Sequence, residues 1–370
     1  MKKNINIAYD YQIFGGQRYG GISRYFFELA RNIGGMSEVN ATIVSPLYIN
    51  SYLKKTDNSF NIIGRKMPIV KGAWRIYRLY NERISPSKIA LLKPDIVHET
   101  YYSNHSSVPK NAKSVITVYD MIHELYPSAF LHSDNTRELK ADAIKRADHV
   151  ICISKKTQLD LINYSNIKPE KTSVIYLGVQ LCETGTPVCE NLINRPYLLY
   201  VGSRGGYKNF KTTLEMYGTN KHLRDAYDFV CFGGGRFNTT ELELIKKLNI
   251  PSDKVIYKEG EDSKLVNLYK NASVFIYPSW YEGFGMPPLE AMSFGCPVAC
   301  SDGGAMPEVL DDAAEFFNPC STESMAHAIE KIIDNCERRN ELITRGFARV
   351  SQFSWAKCAQ ETLNVYTTLI

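Results

Sequence analysis

The 370-residue sequence lacks several features that would narrow its function at once. No apolar run approaches the roughly 20 residues of a membrane-spanning helix. The N-terminal MKKNINIAYDYQ has two lysines but no uninterrupted apolar stretch of the kind a signal peptide needs. A soluble, intracellular chain is expected. No C-x-x-C pair occurs among the nine cysteines, an odd number, and several sit in apolar runs such as VICIS and FVCFGG. Reduced, buried, structural thiols and a cytosolic compartment are therefore expected. The seven histidines do not cluster with the cysteines at finger-like spacing, which disfavours zinc. Charge of one sign is scarce as well: 44 Lys plus Arg against 39 Asp plus Glu leave +5, too little for a dedicated nucleic-acid binder.

Motifs are missing too. There is no P-loop, no G-x-S-x-G and no complete G-x-G-x-x-G, which disfavours P-loop NTPases, α/β-hydrolases and dinucleotide enzymes. No Asp-x-Asp occurs, so the paired carboxylates that commonly hold a divalent metal on a nucleotide diphosphate are absent. Any bound phosphate must be neutralised by protein cations and amides, and neither a metal nor another cofactor is expected.

What remains is an ordinary globular composition, 44% hydrophobic and 22% charged, long enough for two domains. Short β-branched and aromatic runs recur: NINIAYD, ATIVSP, DIVHET, SVITVYD, HVICIS and SVIYLG, then YLLYVGS, DFVCFGGG, KVIYKEG, SVFIYPS, PVACSD and EFFNP. They are apolar at nearly every position, which predicts strands buried on both faces of parallel sheets. Helical periodicity lies between them, clearest in GISRYFFELARNIGG, where Ile22, Tyr25, Phe26, Leu29, Ala30 and Ile33 form one stripe and Gly34 a stop. In the second half helices are expected at 208–217, 239–248, 262–270, 288–294 and 324–334.

Two successive βαβ series predict an α/β chain of two doubly wound, Rossmann-like domains. Periodicity fails between Gly178 and Pro196, placing the domains at 1–182 and 192–352, followed by an amphipathic tail at 353–370.

Five stretches carry candidate chemistry. In YPSWYEGFGMPPLEAMSFGCP a strand ends, a glycine-rich turn follows, and a helix opens near Pro287 or Pro288. Glu282 lies in the turn and Glu290 in the first turns of the helix. The amides of Phe284, Gly285 and Met286 suit an anionic or hydroxyl-rich ligand. In YLLYVGSRGGYKNF a buried strand runs into a turn bearing Arg204 and Lys208, two cations suited to a diphosphate. In FGGQRYGGISRYFFEL, Gly20 and Gly21 allow close backbone approach to a phosphate or sugar. In SVITVYDMIHELYP, Asp120 follows a strand, as a substrate ligand or as a helix cap, with His123 beside it. Lastly, residues 65–93 carry eight cations against Glu82 alone, with Trp74, Tyr77 and Tyr80 interleaved. Trp74, Arg75 and Arg78 there fit an anionic bilayer, an acceptor groove or a solvated basic face.

Together these residues resemble the retaining glycosyltransferases of family 4. The resemblance rests on EGFGMPPLE, VGSRGGYKN, GGISRY, KRADHVICIS followed by SVIYLGV, and CSDGGAMPEVLDDAAEFFNP, and it spans nearly the whole chain. It implies the GT-B fold, two Rossmann-like domains facing across a cleft, with the tail crossing back to the N-terminal, acceptor-side domain. It also implies that Glu282 and the Phe284–Met286 backbone hold the donor sugar and that Glu290 binds the ribose. Arg204 and Lys208, joined by the Gly20–Gly21 loop, would neutralise the diphosphate. Many members have His-Asp where this chain has Tyr119–Asp120, which leaves Asp120 as the polar candidate there. The MIHELYP segment resembles the mannosyltransferase branch and points to GDP-mannose or a related GDP-sugar. The acceptor would then be a saccharide, on a lipid carrier in surface-polysaccharide synthesis, met in the cytoplasm or on the inner face of the cytoplasmic membrane. A UDP-sugar donor, a sugar-nucleotide epimerase or phosphorylase on the same fold, and a silent nucleotide-sugar-binding protein remain the alternatives.

Overall fold

Runs such as IVHE and VFIY become strands buried at every position, so each sheet must be covered by helices on both sides. The computed structural model describes residues 4–53, 58–70, 72–179 and 193–370. They form two compact units. Unit 1 holds the chain to Leu125, Leu131–Gly178 and Ser354–Ile370; unit 2 holds Tyr126–Phe130 and Val179–Phe353. The domain ends expected at 182 and 192 lie outside the described residues.

Among the described residues, unit 1 has seven strands, β1 (Ile5–Tyr9), β2 (Val39–Tyr48), β3 (Asn61–Lys66), β4 (Ile96–Glu99), β5 (Lys113–Val118), β6 (His149–Cys152) and β7 (Thr172–Val174). They form one sheet in the order β3-β2-β1-β4-β5-β6-β7, with every pairing parallel. Its helices are α1 (Gln12–Gly16), α2 (Gly21–Gly34), α3 (Ala73–Leu91), α4 (Ile122–Leu125), α5 (Thr136–Arg146) and α6 (Lys155–Ser165). The stripe of α2 is buried as expected at Tyr25, Phe26, Leu29, Ala30 and Ile33. Strand β3 was not anticipated; it is an edge strand whose NIIGRK is nowhere fully buried, so it lacks the apolar signature of the others.

Unit 2 repeats the plan with β8 (Tyr197–Val201), β9 (Asp228–Phe232), β10 (Val255–Lys258), β11 (Val274–Tyr277), β12 (Val298–Ser301) and β13 (Glu315–Phe317), in the parallel order β10-β9-β8-β11-β12-β13. Its helices are α7 (Phe210–Thr219), α8 (Lys221–Ala226), α9 (Thr239–Lys247), α10 (Asp262–Asn271), α11 (Met286–Ser293), α12 (Met306–Leu310), α13 (Thr322–Ile333) and α14 (Cys336–Val350). Three starts differ from expectation, one of them α13, which opens at Thr322 because Ser321 caps it by accepting the Ser324 amide. The α7 helix opens at Phe210, because Asn209 takes a left-handed φ of 56° and residues 206–208 form a separate turn. The α11 helix opens at Met286, because Gly285 at φ 83° turns the chain there. Of the described cysteines, Cys152, Cys231, Cys296, Cys300 and Cys358 are buried, whereas Cys320 and Cys336 are exposed, contrary to the reading of the thiols as buried.

After unit 2 the chain re-enters unit 1 as α15 (Trp355–Leu369), which packs on α2. Ser354 caps it by accepting the Lys357 amide, and Trp355, Cys358, Ala359, Thr362 and Tyr366 are buried. The Tyr366 hydroxyl meets His98 Nδ1 at 2.6 Å, and His98 Nε2 meets Thr117 Oγ1 at 2.8 Å. Burial holds the His98 pKa down at about 3, so the ring is neutral: one ring nitrogen donates its N–H to its hydroxyl partner and the other accepts from its own.

This has a pH consequence. Below pH 6.5 the unfolded chain binds a proton that folded His98 refuses, so its contribution to stability falls as pH drops from 6.5 towards 3. Glu99, raised to about 7 by burial and then by Asp10, acts with the opposite sign as pH rises through 4.5 to 7. The His98 part is therefore isolated by comparison: from pH 6.5 to pH 5 the wild type should lose about 2 kcal/mol relative to His98→Gln. Parallel denaturation curves for the two proteins across this window would refute it.

Candidate functional site

In a doubly wound sheet, ligands gather at the carboxyl ends of the strands where the order reverses. In unit 2 that point lies between β8 and β11. The loop after β8 carries Arg204 and Lys208, and the loop after β11 carries Glu282. The two are stitched together: the Trp280 amide donates to the Tyr207 carbonyl at 2.8 Å, and Asn209 Nδ2 donates to the Pro278 and Pro319 carbonyls at 3.1 and 2.7 Å. Lys208 Nζ thereby reaches Glu282 Oε1 at 2.6 Å.

Lys208 also lies 5.0 Å from the Tyr207 ring centroid and 5.8 Å from that of Tyr277, whose hydroxyl is hydrogen-bonded to Glu282. Burial alone would lower the Lys208 pKa, but Glu282 and Tyr207 outweigh it, so the ammonium is held above its ordinary value and stays charged. Burial, reinforced by Glu282, raises the Tyr277 phenol and keeps it a neutral donor. The result is a cation and a carboxylate in a phenol-lined corner, each placed by the loop of an adjacent strand.

Glu282 is fixed from a third side. The turn after β12 brings Gly304, at φ 61°, so close that a Cβ there would lie 2.4 Å from the Glu282 carbonyl oxygen and 2.6 Å from its nitrogen. A Cβ on Gly303 would meet the Trp280 carbonyl oxygen at 2.1 Å, and the Ala305 amide donates to the Glu282 carbonyl at 2.9 Å. In the CSDGGAMP stretch the glycine pair is the signal that another backbone passes there.

Phe284 is buried with its ring against Phe353, and Gly285 and Met286 open α11. The first amides of a helix have no intrahelical acceptor, so this end suits an anion. Glu290 is half-buried in the second turn of the same helix. Lys208, Glu282 and the Phe284–Met286 turn are thus brought together, with Glu290 on the helix they start.

Arg204 has a different setting. Its side chain is 3% exposed, pairs with Glu241 at 2.9 Å, and donates to the carbonyls of Gly233, Gly235 and Arg236 at 2.7 to 2.9 Å. The guanidinium lies 4.8 Å from the Phe237 ring centroid and 5.9 Å from that of Tyr257, whose hydroxyl in turn bonds Glu259. Sequence reasoning missed Glu241 and the role of Gly233–Gly235. The three consecutive glycines are all at positive φ, and the carbonyls of Gly233 and Gly235 accept from the arginine.

The unit 1 candidates are dispersed. Gly20 and Gly21 start α2, where the Gly20 carbonyl accepts from the Arg24 amide and the Ser23 hydroxyl. Asp120 caps α4 through the Ile122 amide, 3.8 Å from Lys140, whose ammonium bonds Glu124 at 2.8 Å. Tyr119 is buried and donates to the Thr100 carbonyl at 3.4 Å. On α3, Arg78 pairs with Glu82 at 2.7 Å, and Arg75 lies 5.6 Å from the Trp74 ring centroid. Among the described residues no three His, Cys, Asp or Glu side chains gather where they could hold a metal ion.

Comparison with known proteins agrees with this layout. Residues 190–349 match the family model for glycosyl transferases group 1, and residues 19–182 match that for glycosyltransferase family 4. An O-antigen chain mannosyltransferase B of Escherichia coli is 25% identical over 94% of this chain and 96% of its own. An O-antigen chain mannosyltransferase of Salmonella typhimurium is 29% identical over 66% of this chain and 68% of its own. Among solved structures, the sucrose-phosphate synthase of Thermosynechococcus elongatus superposes with a TM-score of 0.76 at 17% identity, over 99% of both chains. With two Rossmann-like sheets and family models matched in both halves, the chain belongs to the family 4, group 1 glycosyltransferases of GT-B fold.

Proposed function

We propose that this glycosyltransferase transfers mannose from GDP-mannose, with retention at the anomeric carbon and without a metal, to a hydroxyl of a lipid-linked saccharide in surface-polysaccharide synthesis, on the inner face of the cytoplasmic membrane. The reading is carried by the Lys208–Glu282 pair at the switch point of the unit 2 sheet. Similarity to O-antigen mannosyltransferases supports the choice of mannose and of the pathway class.

The chemistry follows from where charge develops. As the bond from the anomeric carbon to the phosphate oxygen breaks, negative charge grows on the diphosphate and positive charge on the sugar ring. Lys208 and the first amides of α11 are suited to the former, in a half-buried setting where such interactions count for more than in water. Glu282 keeps Lys208 charged and, through its own negative charge, favours the cationic ring. The acceptor oxygen bonds to the anomeric carbon on the face that the phosphate leaves, and the departing phosphate oxygen takes the acceptor's proton. Both bonds and the proton are accounted for without a base from the protein.

The first test is thermal-shift binding of the whole chain against GDP, UDP, ADP and NAD, each with and without magnesium. GDP should stabilise without metal, by about 2.7 kcal/mol at a hundredfold excess over its Kd. Stabilisation by UDP alone would move the donor to UDP-sugars. Stabilisation by NAD alone, or only with magnesium, would overturn the assignment of this corner.

A further inference from the structure

A lysine in the core of a domain is costly unless its charge is met, so a buried one calls for a partner and a reason. On α5 the inner stripe is Lys140, Ala143 and Ile144, and the Lys140 side chain is 1% exposed. The transfer chemistry leaves it without a role. Its ammonium donates to Glu124 Oε2 at 2.8 Å and to the Asp120 carbonyl at 2.9 Å, and it lies 5.6 Å from the Tyr102 ring centroid. Asp120 Oδ1 is 3.8 Å away. Glu124, itself 7% exposed, is the counter-ion that lets the lysine stay inside.

These bonds converge on one turn. Strand β5 ends at Val118, so Tyr119 and Asp120 stand at the carboxyl end of the first sheet, the side on which doubly wound folds bind ligands. The turn is pinned twice: the Tyr119 amide donates to the Tyr102 hydroxyl at 3.3 Å, and the Asp120 carbonyl accepts Lys140. With both peptides fixed, the direction of the Asp120 Cα–Cβ bond is fixed as well. Its side chain is 34% exposed, and Oδ1 accepts the Ile122 amide at 3.1 Å. Among the described residues no donor meets Oδ2. A carboxylate with one oxygen anchored and the other unengaged is suited to accept a hydroxyl from outside. A carbonyl that needs only a hydrogen bond can take it from water or a neutral group, whereas a buried ammonium adds a desolvation cost that closing a loop does not require.

We propose that Lys140 is a positioning residue for the transfer reaction. Its buried ammonium, held by Glu124, fixes the Asp120 peptide so that the unengaged carboxylate oxygen of Asp120 meets a hydroxyl of the substrate. This rests on the transferase reading above and adds to it a residue that touches no substrate and acts through another.

The test is steady-state transfer from GDP-mannose into native membranes by the full chain and its variants. Asp120→Asn keeps an oxygen for the helix cap and removes the carboxylate. Lys140→Met combined with Glu124→Gln removes both ions together, so no buried charge is left unmet. Each should lower kcat/KM by about tenfold or more, and all three changes together should be no slower than Asp120→Asn alone, because residues that act through one group are non-additive. Lys140→Arg keeps the charge beside Glu124 and so guards against a variant that fails to fold. It should show the same loss, because a planar head cannot hold the carbonyl where a point charge does. GDP should stabilise every variant as it does the wild type, since Lys208 and Glu282 are untouched. Wild-type kcat/KM in the Lys140 variants, whatever their Tm, losses that multiply in the combined variant, or an Asp120→Asn enzyme of full activity would each overturn the proposal. A wild type that consumes no nucleotide sugar, even by hydrolysis, fails the transferase reading and this proposal with it.

Discussion

Lys208→Ala is expected to lower kcat by about 10²–10³-fold, the usual cost of removing one group that stabilises charge in a transition state. Two effects add. The leaving diphosphate loses its nearby cation, and Glu282, now without the ammonium at 2.6 Å, presents a bare carboxylate to an incoming anion. Donor KM should therefore rise together with the fall in kcat. Lys208→Arg should restore little, because a planar fork does not fit the corner between the Tyr207 and Tyr277 rings that a point charge fills. Stability should change far less than rate, since Lys208 is partly exposed and the loop is pinned independently through Asn209. The check is steady-state turnover of GDP-mannose alongside a denaturation curve. A variant with near-wild-type kcat would remove Lys208 from the mechanism.

This corner was legible in the sequence because it is local. Each loop follows a strand whose uninterrupted apolar run is unmistakable, and the turn residues that follow are glycine, proline and ions. What could not be read was the partner of each ion. Lys208 and Arg204 stand four residues apart in one loop and looked equivalent. The fold gives Lys208 to Glu282, 74 residues away, and Arg204 to Glu241, 37 residues away. Such pairings depend on the sheet order, which no local pattern encodes. The same holds for β3, whose half-exposed residues gave no strand signal, and for the two sides of α3. There the sequence showed cations and aromatics on one helix, but only the packing of Asn81, Ser85 and Ile89 says which stripe faces inward.

Gly304→Val is expected to lower turnover by about 100-fold, the scale on which misplacing a catalytic group by about 1 Å acts. The substituent would meet the Glu282 backbone at 2.4 and 2.6 Å, and neither that peptide nor Gly304 has room to yield without moving the other. A β-branched residue at φ 61° adds strain of about 1–3 kcal/mol, so Tm should fall as well. The diagnostic is the split between the two: a variant that is folded at the assay temperature, binds GDP and is slow has a displaced Glu282. A variant that keeps full turnover would show that Glu282 is not held by this turn.

The return of α15 to unit 1 has a consequence for how the protein is made. Synthesis proceeds from the N-terminus, so the unit 1 sheet, with Tyr25 and His98 on the surface that α15 covers, emerges long before the residues that seal it. Until Trp355–Leu369 leaves the ribosome, that surface is wet and the His98 ring lacks its Tyr366 partner. Chains stopped anywhere in unit 2 therefore carry an unfinished first unit, however completely their first seven strands have paired. The α15 helix is a late seal on a sheet made much earlier, and removing residues 355–370 should betray itself as a defect in the unit 1 sheet.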